Sequence, residues 1–298
     1  MISYLEANAR QRIHGLLDAG SFEEFLPPSL RIVSPHLAQL DTPASFDDGV
    51  VIGRGTLQEK NVLAAAQEGG FMGGAVGEVH GAKLVGLLKR AISDRVDAVI
   101  LMLETGGVRL HEANAGLIAV SEVMRAVLDT RAAGIPVIVL VGGANGCFGG
   151  MGIVACCANE ILMSEEGRLA MSGPEVIETT HGVEEFDSRD RALVWRTTGG
   201  KHRYLLGDCS AVLPDDIAAF RQAAFDAVMC YQKKSAELTL EALELEHQLL
   251  STRLQDFGDF SEPMDIWSKL GVAEPDVLPM LEAQAFMQRV AACRAGEK

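Results

Sequence analysis

Two apolar runs limit the fold more than any other feature of this chain. AVILML (98–103) and VIVLV (137–141) contain no polar residue, and each gives way to glycines within a few positions. A run with no polar side has no face to turn to water, so it predicts a strand buried on both faces. A glycine-rich loop follows each run, ETGGVR after the first and ANGCFGGMG after the second. Helical spacing then resumes over about 111–132 and 151–157. Strands alternating with helices indicate an α/β fold.

The rest of the chain fits around these strands. Residues 4–26 predict a helix that stops at Pro27–Pro28, and 29–45 predict irregular structure. Short β-rich runs at Val50–Ile52, Thr56–Leu57 and Asn61–Ala66 predict an antiparallel meander. Ala82, Val85, Leu88, Ala91 and Ile92 recur at helical spacing and predict a helix over 77–92. Glu160–Ser164 predicts a third short strand, 216–253 a charged helical stretch, and the residues from about 277 a terminal helix. No repeat or low-complexity linker divides the chain, so residues 1–298 are expected to form one domain with helical ends.

Composition narrows the function classes. A formal net charge of −15 argues against a broad nucleic-acid surface and is read as solubility. No apolar run approaches the ~20 residues of a membrane span. The opening MISYLEANARQRIHGLL lacks a signal-peptide core, so a cytoplasmic protein without membrane contact is expected. The six cysteines show no Cys-x-x-Cys spacing, which predicts buried reduced thiols and no metal site.

The chemistry is expected at the two glycine-rich loops. In an α/β sheet, ligands gather at the carboxyl ends of the strands, and glycine lets the backbone come close to them. Two such loops facing each other can aim two N–H groups at one oxygen, forming an oxyanion hole. Tight turns and close helix–sheet packing account for the same glycines. Phosphate-loop, Gly-x-Gly-x-x-Gly, nucleophile-elbow and His-Glu-x-x-His patterns are all missing. An oxyanion hole without an evident nucleophile suits a thioester whose enolate is stabilised rather than a carbonyl that is attacked.

FMGGAVGEVHGAKL, LETGGVRLHEANAGL and GCFGGMGIVACCANEILMSEEGRLAMSGPEVIE together resemble the carboxyltransferase β-subunit family of the crotonase superfamily. QRIHGLLDAGSFEEF and FDDGVVIGRG resemble it too, and the resemblance spans roughly residues 10–205. Within that family the chain looks most like the β subunits of biotin-independent malonate decarboxylases. Acetyl-CoA carboxylase β subunits usually open with a four-cysteine zinc ribbon, whereas no cysteine here precedes Cys147. Propionyl-type carboxyltransferases usually fuse two such domains. One departure from the family pattern is Gln58-Glu59-Lys60, where a glycine is expected at a hairpin turn.

The resemblance implies a crotonase-like ββα spiral of stacked β-sheets flanked by helices. It implies decarboxylation of a malonyl thioester to acetyl thioester and CO2. The acyl group rides on the CoA-like prosthetic group of an acyl carrier protein, and this chain binds no cofactor of its own. A homologous γ subunit shares the active site, and an acyl transferase subunit completes the complex. The oxyanion donors are then the amide of Gly107 or Val108 and that of Gly149 or Gly150. Gly106, Gly173 and Pro174 are candidates to line the pocket, although Pro174 also fits the first turn of a helix. Arg109 either steadies an anionic substrate or pairs with Glu112, the pairing being slightly favoured. Lys83 either meets a phosphate of the carrier arm or, by default, lies on a solvated helix face. His111, His181 and water are the candidate proton donors, and Glu104 is expected to be structural. Rival readings are a carboxyltransferase subunit of a biotin-dependent enzyme, a non-catalytic acyl-carrier scaffold and, more weakly, an acyl-CoA hydratase.

Overall fold

The two apolar runs become neighbouring central strands of one seven-stranded sheet in a computed structural model that describes residues 2–41, 46–231 and 239–295. The strands lie in chain order: β1 (Glu23–Phe25), β2 (Val50–Leu57), β3 (Lys60–Gln67), β4 (Ala98–Met102), β5 (Val137–Val141), β6 (Glu160–Ser164) and β7 (Ala211–Leu213). The first three pair antiparallel, as a meander should, and β3 to β7 pair parallel. Helices α1 (Ala9–Leu16) and α2 (Pro35–Gln39) precede the parallel part. The crossovers are α3 (Glu78–Asp94), α4 (Ala115–Ala132) and α5 (Gly150–Cys156), and then α6 (Pro174–His181), α7 (Arg191–Thr198) and α8 (Gly200–Leu206) between β6 and β7. The chain continues through α9 (Ile217–Tyr231), α10 (Leu240–Phe257), α11 (Pro263–Lys269) and α12 (Ala283–Arg289).

Strand residues alternate between two cores because side chains on a strand point alternately up and down. Val99 and Leu101 of β4 pack with α3, α4 and α5 on one face, while Ala98, Ile100 and Met102 pack with α1 and α9 on the other. Keeping α3, α4 and α5 on one side makes the chain advance as a spiral of βα turns. The second, stacked layer is a row of single bridges: Val76–Val108, Thr105–Cys147, Cys147–Leu169 and Arg168–Gly199. None of the helices in the described residues is long and apolar enough to cross a membrane.

Several expected boundaries are corrected. The helix expected over 4–26 is only α1, and its far end becomes the edge strand β1. Asp18 explains the break, because its carboxylate accepts the amides of Gln58 and Glu59 at 3.0 Å each and holds the chain beside the β2–β3 hairpin. Those two turn residues adopt left-handed φ of 46° and 69°, so the missing glycine is replaced by a side chain that fixes the turn. The irregular stretch contains α2, and its residues 42–45 lie outside the described ones. The helical stretch expected over 216–253 contains two helices, α9 and α10, and 232–238 lie outside the described residues. The terminal helix starts late, at Ala283, after a short 3-10 turn that contains Pro279. All six cysteines are free thiols, but Cys156 and Cys230 are exposed rather than buried.

Burial holds two histidines neutral. The pKa values of His80 and His202 are pushed from 6.5 down to about 3. As pH falls below 6.5, the unfolded chain takes up protons that the folded chain refuses. Stability is therefore lost towards pH 3, by up to about 1.4 kcal/mol per pH unit for each histidine. Trp267 donates to His202 Nδ1 at 3.1 Å, so tryptophan fluorescence reports on this region. In urea unfolding between pH 6.5 and 4, His202→Asn should flatten the pH slope of stability. An unchanged slope would show that His202 is not a source of the acid sensitivity.

Candidate active site

Parallel neighbours β4 and β5 open their carboxyl ends onto the same edge of the sheet, where ligands bind. Backbone bonds zip the two following loops together. Thr105 N–H donates to Gly146 O (2.8 Å), and Phe148 N–H donates to Thr105 O (2.9 Å). A Cβ built on Gly149 would fall 3.2 Å from Gly107 Cα, so the two glycine turns touch. The segment after β6 flanks the second loop, since Cys147 N–H donates to Arg168 O (2.7 Å) and Gly149 N–H to Met171 O (2.9 Å). The turn before α3 flanks the first, with Gly106 N–H donating to Gly73 O (2.9 Å) and Val76 N–H to Gly107 O (2.9 Å).

These bonds decide which amides stay available. Gly107 N–H donates to Thr105 Oγ1 at 3.1 Å, and the same hydroxyl donates back to Gly107 O at 3.1 Å. Gly149 N–H is taken by Met171. Among the described residues, the N–H groups of Val108 and Gly150 have no acceptor. Of each pair of amides considered from the sequence, the second is free. Gly107 has φ 140° with open space where a side chain would stand, and Gly149 has φ 65°. Both conformations favour glycine. Gly106 does not need this freedom, and a Cβ there would make an ordinary contact of 3.6 Å with Gly73 O.

Arg109 is buried and makes the pairing with Glu112 that the sequence slightly favoured over a role towards an anionic substrate. Its guanidinium bonds to Asp47 and Glu112 (each 3.1 Å) and to Ala75 O (2.9 Å). Burial alone would raise the Asp47 pKa, but the Arg109 hydrogen bonds and charge overturn this and hold it below the usual carboxylate range. Lys83 is corrected: it lies under β2, its ammonium donating to Val50 O at 3.1 Å, and burial lowers its pKa. It occupies neither a solvated face nor a position open to a phosphate. Gly173 caps α6 with Pro174 in the first turn, and a Cβ on Gly173 would stand 3.9 Å from the Phe148 ring, beside the second loop. His111 is partly exposed four positions after Gly107, its Nε2 3.9 Å from Glu112. His181 ends α6, about 12 Å along the helix from Gly173 at ~1.5 Å per residue. Glu104 is buried and paired with Arg12. The Met171 carbonyl carries no sequence signal, because it acts through a backbone contact between distant segments, whereas the Thr105 brace is a local hydroxyl turn onto Gly107 that the sequence reading passed over.

Residues 6–221 match the family model described as the carboxyl transferase domain. The chain belongs to the carboxyl transferase family. Within it, the chain is 41% identical to the malonyl-S-ACP:biotin-protein carboxyltransferase MADC of Malonomonas rubra, over 98% of this chain and 97% of that one. It is 32% identical to an acetyl-coenzyme A carboxylase carboxyl transferase subunit beta of Fusobacterium nucleatum, over 59% of this chain and 60% of that one. A chain of a Pseudomonas malonate decarboxylase hetero-tetramer in complex with malonate superposes with TM-score 0.72 and 43% identity, covering 77% of this chain and 84% of its own length. A chain of the Pseudomonas malonate decarboxylase MdcD-MdcE hetero-dimer superposes with TM-score 0.65 and 37% identity, covering 83% and 96%. The spiral fold read from the sequence is therefore the fold of this carboxyl transferase family.

Proposed function

We propose that this chain is the β-type subunit of a malonate decarboxylase and that it removes CO2 from a malonyl thioester by stabilising the enolate left behind. The observation that carries this reading is the pair of unengaged amides, Val108 and Gly150, on two glycine turns that touch. Loss of CO2 puts negative charge on the thioester oxygen, and two fixed N–H donors there lower the barrier without reorganisation. Gly106 adjoins the first of these turns, and Gly173, with Pro174 after it, stands beside the second. Leu110, Met171, Ile118 and Leu117 stand exposed on segments around these turns, which suits a site closed by a homologous γ subunit. An apolar cover also favours a carboxylate leaving as neutral CO2. The thioester arrives on the CoA-like arm of an acyl carrier protein, loaded by a transferase subunit, and the chain binds no cofactor of its own. His111 is nearer in sequence to the first turn than His181 and is the better protein donor for the acetyl enolate, with water as the alternative.

The full-length similarity to MADC favours a second reading, in which the carboxyl group passes to biotin instead of leaving as CO2. The two are separated by co-purifying the chain with its homologous partner subunit and following CO2 and acetyl-CoA from malonyl-CoA in the presence of avidin. Avidin-insensitive turnover is the expected result. Carboxyl transfer that requires a biotinylated acceptor would overturn the decarboxylase reading.

A further inference from the structure

We infer that Glu104 is a positioning residue that sets the separation of the two oxyanion donors; the inference rests on the decarboxylase reading above. Glu104 directly precedes the first glycine loop and is almost fully buried. Its Oε1 accepts the amide of Asn145, three residues before Phe148 in the second loop, at 3.1 Å. Its Oε2 takes Nη1 of Arg12, a buried side chain on α1. Arg12 is itself fixed, with Nε on Tyr4 O at 2.9 Å and its guanidinium 4.7 Å from the centre of the Tyr4 ring. Asn145 Nδ2 donates to Gly69 O at 3.0 Å. Glu104 N–H donates to Gln67 Oε1 at 2.8 Å.

A side chain at Gly69 or Gly143 would overlap the carboxylate, so glycine at both positions makes room for it. One carboxylate thus ties the start of the Val108 loop, the start of the Gly150 loop and α1 into a single block. Glu104 touches neither amide. It acts through the Thr105–Gly146 and Phe148–Thr105 bonds, which transmit its position to the two turns. A misplacement of an ångström between donors matters far more for a developing oxyanion than for a bound neutral thioester.

The test uses the chain co-purified with its partner subunit, with malonyl-CoA as substrate and CoA as the ground-state ligand. Glu104→Gln keeps an acceptor for Asn145 but loses the charge that holds Arg12; Glu104→Ala loses both. Expected is a kcat loss of about 10-fold for Glu104→Gln and about 100-fold for Glu104→Ala, with KM and CoA affinity within about threefold. Hydrogen exchange in the intact complex should show faster amide exchange in 105–108 and 145–150 for both variants, a readout independent of turnover. Loss of kcat that merely follows the folded fraction, or a rise in KM with kcat unchanged, would overturn the assignment. So would unaltered exchange in both loops. A wild-type complex that binds CoA but releases no CO2 would instead sink the decarboxylase reading, while the exchange data would still judge the positioning.

Discussion

Gly107→Val in the assembled complex is expected to lower kcat by about 10²–10³-fold, the usual cost of losing one oxyanion donor. At φ 140° a β-branched residue is strained by about 1–3 kcal/mol, so the turn must relax. Relaxation re-aims the peptide that carries the Val108 N–H. Open space within this chain surrounds the position where the new side chain would stand, so the chain's own fold should survive, and assembly with the partner subunit is checked alongside kcat. Gly106→Ala supplies the contrast. Its backbone needs no left-handed conformation, and its Cβ would meet only Gly73 O at 3.6 Å, so kcat should remain within several-fold of wild type. Equal losses in the two variants would mean that bulk near the substrate matters and the amide does not. Full activity in Gly107→Val would remove this turn from the mechanism.

Arg109→Met should cost about 3–5 kcal/mol of stability, because it leaves Asp47 and Glu112 as buried carboxylates without their shared cation. Asp47 is held ionised mainly by Arg109, against its own burial, so removing the arginine turns a favourable charge into an uncompensated one. Adding Asp47→Asn should restore part of the loss, since a neutral amide costs less to bury than a lone carboxylate. Urea unfolding of the single and double variants measures both effects. An Arg109→Met protein of normal stability with a raised KM for the thioester would instead return Arg109 to the role of substrate anchor.

The sheet was legible because its evidence is local. AVILML and VIVLV have no polar face, and that alone predicts strands covered on both sides. The glycine loops were legible as a pair for the same reason: each follows its strand at once. Most of what escaped was set by partners far along the chain. Nothing within NGCFGG shows Met171 claiming Gly149, while the Thr105 hydroxyl that engages Gly107 is local to ETGGVR and was overlooked rather than hidden. Lys83 looks like a surface cation in the sequence, and the Asp47 partner of Arg109 is hidden there too, since the groups that bury both come from residues 47–50; only the Arg109–Glu112 pairing, three residues apart, was legible. The first helix was overextended because its stop is imposed by Asp18 bonding to a hairpin some forty residues away.

The chain's beginning is fastened late. The Ser3 hydroxyl and the Leu5 amide both bond to Asp215, Ile217 N–H donates to Ile2 O at 3.0 Å, and the Tyr4 ring stacks on Phe220 with centroids 4.0 Å apart. α1, which carries Arg12, therefore has no complete seat until α9 has emerged from the ribosome. Long-range closure of this kind is slow and exposes apolar surface meanwhile. During synthesis both glycine loops are present long before the helix that steadies them can dock, so a nascent chain halted before residue 215 holds the parts of the site without its final geometry.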